Sequence, residues 1–143
     1  MRESFGGAFM IKLVLIFIVI YVSFMAVAVN YAKAFRVKNQ LINYVEQTQY
    51  RYGDSTDNIE NYLAKVPYNV TDSNNGLKQA CDADAENTTE KSVFVHGACI
   101  APRCDKDSGS CYYRITTYIS VDFPFFNIHM TLPVRGETKT IVY

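Results

Sequence analysis

The chain has 143 residues, of which 49% are hydrophobic and 14% aromatic, and its 14 basic and 14 acidic side chains give a formal net charge of zero. This length fits one domain of ordinary size with a real core. A neutral chain lacks the positive charge typical of nucleic-acid binding, so we expect no nucleic-acid partner. The neutrality is a cancellation: residues 1–52 hold six basic and two acidic side chains, residues 53–90 two and eight, and residues 91–143 six and four.

A long apolar run lies near the N-terminus. Leu13 to Val29 is 17 residues without a charge, and inclusion of residues 8–11 extends the run to 22 residues interrupted only by Lys12. About 20 apolar residues suffice to cross a bilayer, and the stem of a lysine can snorkel towards the headgroups. The pattern predicts a short polar leader over residues 1–7 and a membrane-spanning helix over residues 8–30.

A cleaved secretory signal peptide is the alternative interpretation of this run. Arg2 and Lys12 would form the basic region, Leu13–Met25 the apolar region, and Ala26–Ala28 the small-residue cleavage pattern. No Gly or Pro occurs between Ala8 and Tyr52, however, so nothing breaks the helix at that cleavage position. We therefore favour a retained anchor.

Beyond residue 30 the helical pattern becomes one-sided. Apolar and small side chains recur at helical spacing while polar ones take the other faces: Ala34, Val37, Leu41, Tyr44, Val45 and Thr48. We expect an amphipathic continuation of the same helix over residues 31–52, with one face packed on a globular head formed by residues 53–143.

The head begins with a second predicted helix. Asp54 or Ser55 can cap it, Pro67 can end it, and its apolar residues follow helical spacing: Ile59, Tyr62, Leu63 and Val66. Residues 67–90 are polar and predict a loop with a short helical turn near Leu77–Ala80.

Strands dominate the rest of the head. Ser92–His96 predicts a short strand, and residues 112–123 alternate with one apolar face: Tyr113, Ile115, Thr117, Ile119, Val121 and Phe123. A second alternating stretch runs from Phe126 to Val134, after a turn at Pro124, and Pro133 within it predicts an edge strand. Thr138–Tyr143 can supply a last strand. The fold class predicted is α+β, a long N-terminal helix packed against a small antiparallel sheet.

Four cysteines lie within 31 positions of the head: Cys81, Cys99, Cys104 and Cys111. An even number suits two disulfides in an oxidising compartment, although four cysteines allow three pairings. Cys104 and Cys111 flank a turn-rich stretch between two strand-like segments, so their pairing would clamp a hairpin and leave Cys81 to pair with Cys99. A zinc site with His96 is the rival, but the wide cysteine spacing disfavours it and we expect no metal.

The sequence offers no sign of catalysis. It contains no nucleophile elbow, Walker loop or dinucleotide fingerprint. His96 and His129 lie 33 positions apart on strand-like segments, and Asp105 to Gly109 only superficially resembles a calcium loop because Thr116 stands at its twelfth position. We expect neither an enzyme nor a cofactor.

The N-terminal residues carry a family resemblance. A short polar leader ending in Gly6 and Gly7, followed by Ala8-Phe9-Met10-Ile11 and a long apolar helix, resembles a type IV pilin-like protein. The whole layout, with the closing segment Leu132–Thr138, is most similar to the TadE-like pseudopilins of bacterial tight-adherence systems. The resemblance implies cleavage between Gly7 and Ala8, and helix packing in a membrane or filament through a surface that we assign to Leu15, Ile18, Val22 and Lys12.

The resemblance also implies a function and partners. The expected function is a structural or assembly subunit of a type IV-like pilus or secretion machine. Its expected partners are the membrane, other pilin-like subunits or further copies of this chain, and the assembly machinery. The alternative is a membrane-anchored or secreted binding domain, stapled by disulfides and not assembled into a filament.

Lys12 departs from the family pattern. After cleavage at Gly7 it would be the fifth mature residue, where such proteins usually have a Glu that neutralises a neighbouring N-terminal amine. A lysine reverses the sign, and an unpaired charge in an apolar filament core is expensive. Lys12 therefore implies an acidic partner, a special position in the assembly, or a chain that is not processed.

The orientation of the anchor rests on two opposing signals. Basic residues on both sides of the apolar run, with Lys33, Arg36 and Lys38 after it, slightly favour a cytoplasmic C-terminus. The cysteines favour export of the head, and a very short N-terminal tail is easily retained inside. We expect a single-pass protein of the bacterial cell membrane with its head outside, or an extracellular one within a filament.

Overall fold

The computed structural model of the chain describes residues 2–48, 56–66, 68, 70–71, 75–86, 92–123 and 128–142. These residues form three helices and five strands: α1 (Arg2–Thr48), α2 (Thr56–Ala64), α3 (Gly76–Asp84), β1 (Val93–Val95), β2 (Ala98–Cys104), β3 (Ser110–Phe123), β4 (Ile128–Glu137) and β5 (Ile141–Val142). The architecture is α+β, with the long N-terminal helix packed on an antiparallel sheet, as the sequence predicts.

Helix α1 is continuous over 47 residues, which corresponds to about 70 Å at 1.5 Å per residue. The helix includes residues 2–7, so the predicted leader joins the apolar segment without a break. It also passes without interruption through Ala26–Ala28, where a signal peptide would be cut. The apolar and amphipathic segments are thus two halves of one helix, as the sequence predicts.

The sheet is built from consecutive antiparallel neighbours. The strand order is β1-β2-β3-β4, and β5 pairs with the start of β3 at Ser110 and Cys111. A two-residue turn joins β1 to β2, and both of its residues, His96 and Gly97, have positive φ (50° and 85°). Two left-handed residues in a tight hairpin form the turn type that matches strand twist.

Each face of the sheet is covered by different elements. Ile100, Ile115 and Gly136 are paired across β2, β3 and β4, so their Cα–Cβ directions share one face. That face lies against α1, because a Cβ on Gly136 would lie 2.9 Å from Cδ1 of Ile42. The neighbouring register position, Cys99, points to the opposite face, where its disulfide to Cys81 attaches α3.

The core lies mainly between α1, α2 and the sheet. Four residues of the predicted stripe of α1 are buried: Ala34, Val37, Leu41 and Val45. Tyr44 is half-buried, and Thr48, also predicted to belong to the stripe, is exposed. Helix α2 contributes Ile59 and Leu63, which are also buried at the predicted positions. The two helices meet where the rings of Tyr44 and Tyr62 stack with centroids 5.3 Å apart. This helix-on-sheet core confirms the predicted fold class.

Two expectations about the strands need correction. The alternation predicts that strand β3 buries one face only, but Thr116 and Tyr118 of its other face are buried as well, because α3 and Tyr68 cover them. Strand β4 has its expected edge position, yet Met130 and Leu132 of its apolar set are exposed. They pair with Val121 and Ile119, which are buried, so their exposure reflects the position of β4 at the edge of the sheet.

Helix α3 is also longer than expected, since it covers nine residues rather than the turn near Leu77–Ala80. Several predicted features lie outside the described residues: the helix caps Asp54 and Ser55, the stop at Pro67, the turn at Pro124, the start of the last long strand at Phe126, and residues 49–52 at the end of the first helix.

Candidate functional site

The N-terminal half of α1 is an exposed apolar surface. Every side chain from Gly6 to Ile18 is exposed, and most of them are large and apolar. Within the described residues, α1 is the helix that is long and apolar enough to cross a membrane. Because apolar side chains occur on all sides of this segment, water is an unfavourable environment for it around its whole circumference.

Three of the four predicted packing residues share one side of this segment, and the fourth, Lys12, does not. Leu15, Ile18 and Val22 are exposed and follow the spacing i, i+3 and i+7, so they form a stripe on one helix face. Counted at 100° per residue, this stripe lies about 110–130° around α1 from Ala34 and Leu41, which pack on the sheet. The structure therefore leaves these three residues together and available for contact with lipid or with another helix.

Lys12 lies on a different side of α1. It precedes Val19 by seven residues, which places it on the same face as Val19 and, further along, Val27. That face continues into the stripe buried against the sheet. Lys12 itself is exposed, so the structure separates its charge from the apolar stripe by roughly 60–120° around the helix.

The predicted processing residues lie within the exposed first turns of α1. Gly6, Gly7 and Ala8 are exposed, and a Cβ added to either glycine would meet no other atom within 4 Å. No tertiary contact of the described residues therefore requires a glycine at position 6 or 7. The two glycines lower the local stability of α1, because glycine is a poor helix former.

The four cysteines form the predicted pairs. Cys81 is joined to Cys99 and Cys104 to Cys111, and no free cysteine remains. The first disulfide fixes α3 to β2, and the second joins β2 to β3 at the end of their hairpin. Disulfide bonding uses the thiols that the zinc alternative would need, and the described residues contain no group of three His, Cys, Asp or Glu arranged to hold a metal.

The loop that resembles a calcium site uses its carboxylate internally. Asp105 accepts hydrogen bonds from the hydroxyl of Ser108 at 2.8 Å and from the backbone N–H of Asp107 at 3.2 Å. These bonds, that of Ser108 first, hold the pKa of Asp105 below its ordinary value. The arrangement is that of a polar turn closed by its own side chains.

Charged side chains cross-link α3 to three strands of the sheet. Asp84, whose side chain is 15% exposed, lies within 4.0 Å of Arg103, Arg114 and Arg135 on β2, β3 and β4. Glu137 also binds Arg114, at 2.7 Å, and raises the pKa of that guanidinium further. Each cation has a carboxylate partner, so the cluster holds α3 on the sheet rather than offering an open anion site.

Tyr68 is a structural residue that sequence reasoning missed. Its buried hydroxyl lies 2.9 Å from the carbonyl oxygen of Gly97 and 2.6 Å from that of Tyr118, and it accepts from the backbone N–H of Tyr118 at 2.8 Å. Burial raises its pKa well above the ordinary range. No local pattern marks this tyrosine, because its partners lie 29 and 50 residues away.

Comparisons with known proteins identify no relative: no protein-family model matches the chain, and neither the curated proteins nor the solved structures include a match. The arrangement of α1 and the head is therefore the basis for proposing a function.

Proposed function

We propose that the chain is a pilin-like structural or assembly subunit of a type IV-like, tight-adherence pilus or secretion machine. The observation that carries this proposal is the division of α1 into two halves. The first half exposes apolar side chains on all sides, and the second half forms the core of the head. A subunit built this way can pack its bare helix among other helices while its head faces outwards.

The energetics favour an apolar environment for the first half of α1. Removing one large aliphatic side chain from water is worth about 1.5–3 kcal/mol, and Leu15, Ile18 and Val22 are each more than half exposed. A helix with many such residues is therefore much more stable in contact with lipid or with neighbouring helices than in water. Within a bilayer, close helix packing then supplies the specificity of assembly.

The proposed orientation places the N-terminus inside and the head outside. Two disulfides support an oxidising compartment for the head. Lys12 then lies near the inner end of the membrane segment, where its ammonium group can reach the inner headgroups. Within an assembly the same charge would need an acidic group from a neighbouring subunit.

A charge placed on the exposed stripe tests the proposal. We expect Val22→Asp, in the full chain, to abolish cross-linking between copies and to weaken membrane retention, because an aspartate near the centre of a spanning helix costs about 2.5–3.5 kcal/mol and lacks a partner there. Asn43→Asp is the matched control, since Asn43 is exposed on the same helix beyond the apolar run. The measurements are membrane fractionation and chemical cross-linking between copies.

The two readouts separate the proposal from its alternative. Normal retention and cross-linking of Val22→Asp, indistinguishable from Asn43→Asp, would contradict the proposal. Retention of the unsubstituted chain without cross-linking to itself or to other helices would favour a membrane-anchored binding domain instead.

A further inference from the structure

The β3–β4 hairpin runs alongside α1 towards its membrane half. Gly136 lies beside Lys38 and Ile42 of α1. Further along the hairpin, the hydroxyl of Thr117 donates to the carbonyl oxygen of Ala34 at 3.1 Å. Towards the end of β3, the side-chain amide of Asn30 donates to the carbonyl oxygen of Ser120 at 3.4 Å. Each step along β3 thus moves towards the N-terminus of α1.

The hairpin continues past the level of Asn30. Strand β3 extends three residues beyond Ser120, to Phe123, which pairs with Ile128 of β4. At about 3.3 Å per residue this extension covers about 10 Å, equivalent to about 6–7 residues of helix. The burial of α1 agrees at this level: Ser23 and Val27, on the helix face that leads to the sheet, are half-buried, while the other residues from Phe24 to Val29 are exposed.

This overlap leaves too little bare helix for a bilayer. Exposed apolar side chains continue to Val29, but the part of α1 that lies below the level of the hairpin, Gly6–Val22, is 17 residues, or about 26 Å, whereas the hydrocarbon core is about 30 Å thick. Shifting the bilayer towards the N-terminus does not solve the problem, because it would place Lys12 near the bilayer centre. A spanning α1 therefore requires the end of the hairpin to share the outer leaflet.

We infer that the part of the β3–β4 hairpin formed by Ile119–Phe123 and Ile128–Leu132 lies at the outer interface of the bilayer that α1 spans, with Met130 and Leu132 in contact with lipid. This inference rests on the proposed membrane anchorage of α1. Met130 and Leu132 are 47% and 43% exposed, and their pairing with Val121 and Ile119 places them on the α1 face of the sheet. They thus extend the apolar surface of the helix sideways onto the head.

The chemistry of the neighbouring residues fits an interface rather than deeper insertion. Tyr31, also exposed, belongs to the first helical turn beyond Val29, where an aromatic ring suits the headgroup level. Lys33 and Arg36 follow on exposed positions and can meet lipid phosphates. In the described residues β4 pairs with another strand on one side only, and the backbone groups on the outer side of an edge strand need hydrogen-bonding partners that hydrocarbon lacks.

Single tryptophan reporters test this inference, because the chain contains no Trp. The full chain is reconstituted in vesicles of phosphatidylcholine and phosphatidylglycerol whose acyl chains carry bromine, a quencher of Trp emission, either near the headgroup or near the chain end. Three variants report three positions: Tyr21→Trp in the exposed helix, Leu132→Trp on the hairpin, and Lys139→Trp on the exposed far end of the head.

We expect shallow bromines to quench emission from Leu132→Trp, deep bromines to quench Tyr21→Trp, and neither to quench Lys139→Trp. Quenching of Tyr21→Trp with no quenching of Leu132→Trp would overturn the hairpin inference and leave the anchor intact. No quenching of Tyr21→Trp would overturn the anchor itself. If the tryptophan of Leu132→Trp is protected from water only at a high protein-to-lipid ratio, and loses this protection when more lipid is added, a second copy of the chain covers the hairpin and the inference is wrong.

Discussion

Gly97 allows the β1–β2 turn to pack closely on Val70, two residues after Tyr68. Its φ is +85°, and a Cβ at this position would lie 2.6 Å from the Cβ of Val70 and 3.2 Å from its backbone. We expect Gly97→Ala to lower the free energy of unfolding by about 2–4 kcal/mol, because left-handed strain and overlap with backbone add together. Urea unfolding of the full chain in detergent, followed by near-ultraviolet circular dichroism, measures the change.

Gly109 provides the matched control for this substitution. Its φ is +65°, but a Cβ there would meet nothing within 4 Å. Gly109→Ala should therefore cost only the backbone strain, about 1–2 kcal/mol. Equal losses in the two variants would show that contact with Val70 is unimportant.

Tyr68 links three parts of the head through one buried hydroxyl. We expect Tyr68→Phe to lower the free energy of unfolding by about 1–3 kcal/mol, because buried backbone groups at Gly97 and Tyr118 lose a partner. Tyr31→Phe, at an exposed position, is the control and should leave stability unchanged. Similar unfolding midpoints for both variants would contradict this role.

Because of the same hydroxyl, the free energy of unfolding should change with pH in the alkaline range. Burial raises the pKa of Tyr68 in the folded chain, so the unfolded chain, with the ordinary value of about 10, releases this proton first. Tyr68 therefore makes its full contribution to the free energy of unfolding below a pH of about 10, and this contribution is lost as the pH rises above that value. Unfolding midpoints measured across this range should fall less steeply for Tyr68→Phe than for the unsubstituted chain.

At the scale of elements, the two disulfides have different surroundings. Cys81 and Cys99 are fully buried, whereas Cys104 and Cys111 are partly exposed. Under native conditions a mild thiol reductant should therefore open Cys104–Cys111 first, and Cys81–Cys99 only when the head unfolds. Alkylation followed by peptide mass spectrometry identifies the order, and prior labelling of Cys81 would contradict it.

Loop length predicts the stability that each disulfide adds. The cysteines are 18 residues apart in Cys81–Cys99 and 7 apart in Cys104–Cys111. The chain-entropy relation then gives losses of about 3 kcal/mol and about 2 kcal/mol when each pair is replaced by alanine.

The elements show which information the sequence contains. Helical spacing located Val37 and Leu41 in the core, because the buried face of a helix is periodic in its own sequence. Alternation identified the α1 face of β3 in the same way. It missed the burial of Thr116 and Tyr118, because α3 and Tyr68, distant in sequence, cover that face. Contacts of this kind depend on tertiary packing.

The candidate site also has features that the sequence predicts and features that it does not. Leu15, Ile18 and Val22 could be assigned to one exposed stripe from their spacing alone. The pairing of the four cysteines could be inferred because a turn separates Cys104 from Cys111. The overlap between the hairpin and the membrane half of α1 could not be predicted, because it depends on where Ser120 meets Asn30 in three dimensions.

At the scale of the whole molecule, the fold joins a bare apolar helix to a head held together by disulfides, ion pairs and a shared core. Neither average composition nor net charge describes this division. The head gives the second half of α1 a fixed direction, so the orientation of the first half follows from the packing of residues such as Leu41 and Val45. A rigid connection of this kind suits a subunit whose head is positioned by helix packing.

The N-terminal residue of the native protein, identified by intact-mass and peptide mass spectrometry, tests the pilin-like account most directly. The account predicts a chain that begins at Ala8 and keeps the whole apolar half of α1. A chain that begins at Val29 would contradict it, because that cut removes Leu15, Ile18 and Val22 as a signal peptide. A chain that begins at Met1 or Arg2 would also contradict pilin-like processing, and would leave an unprocessed membrane anchor.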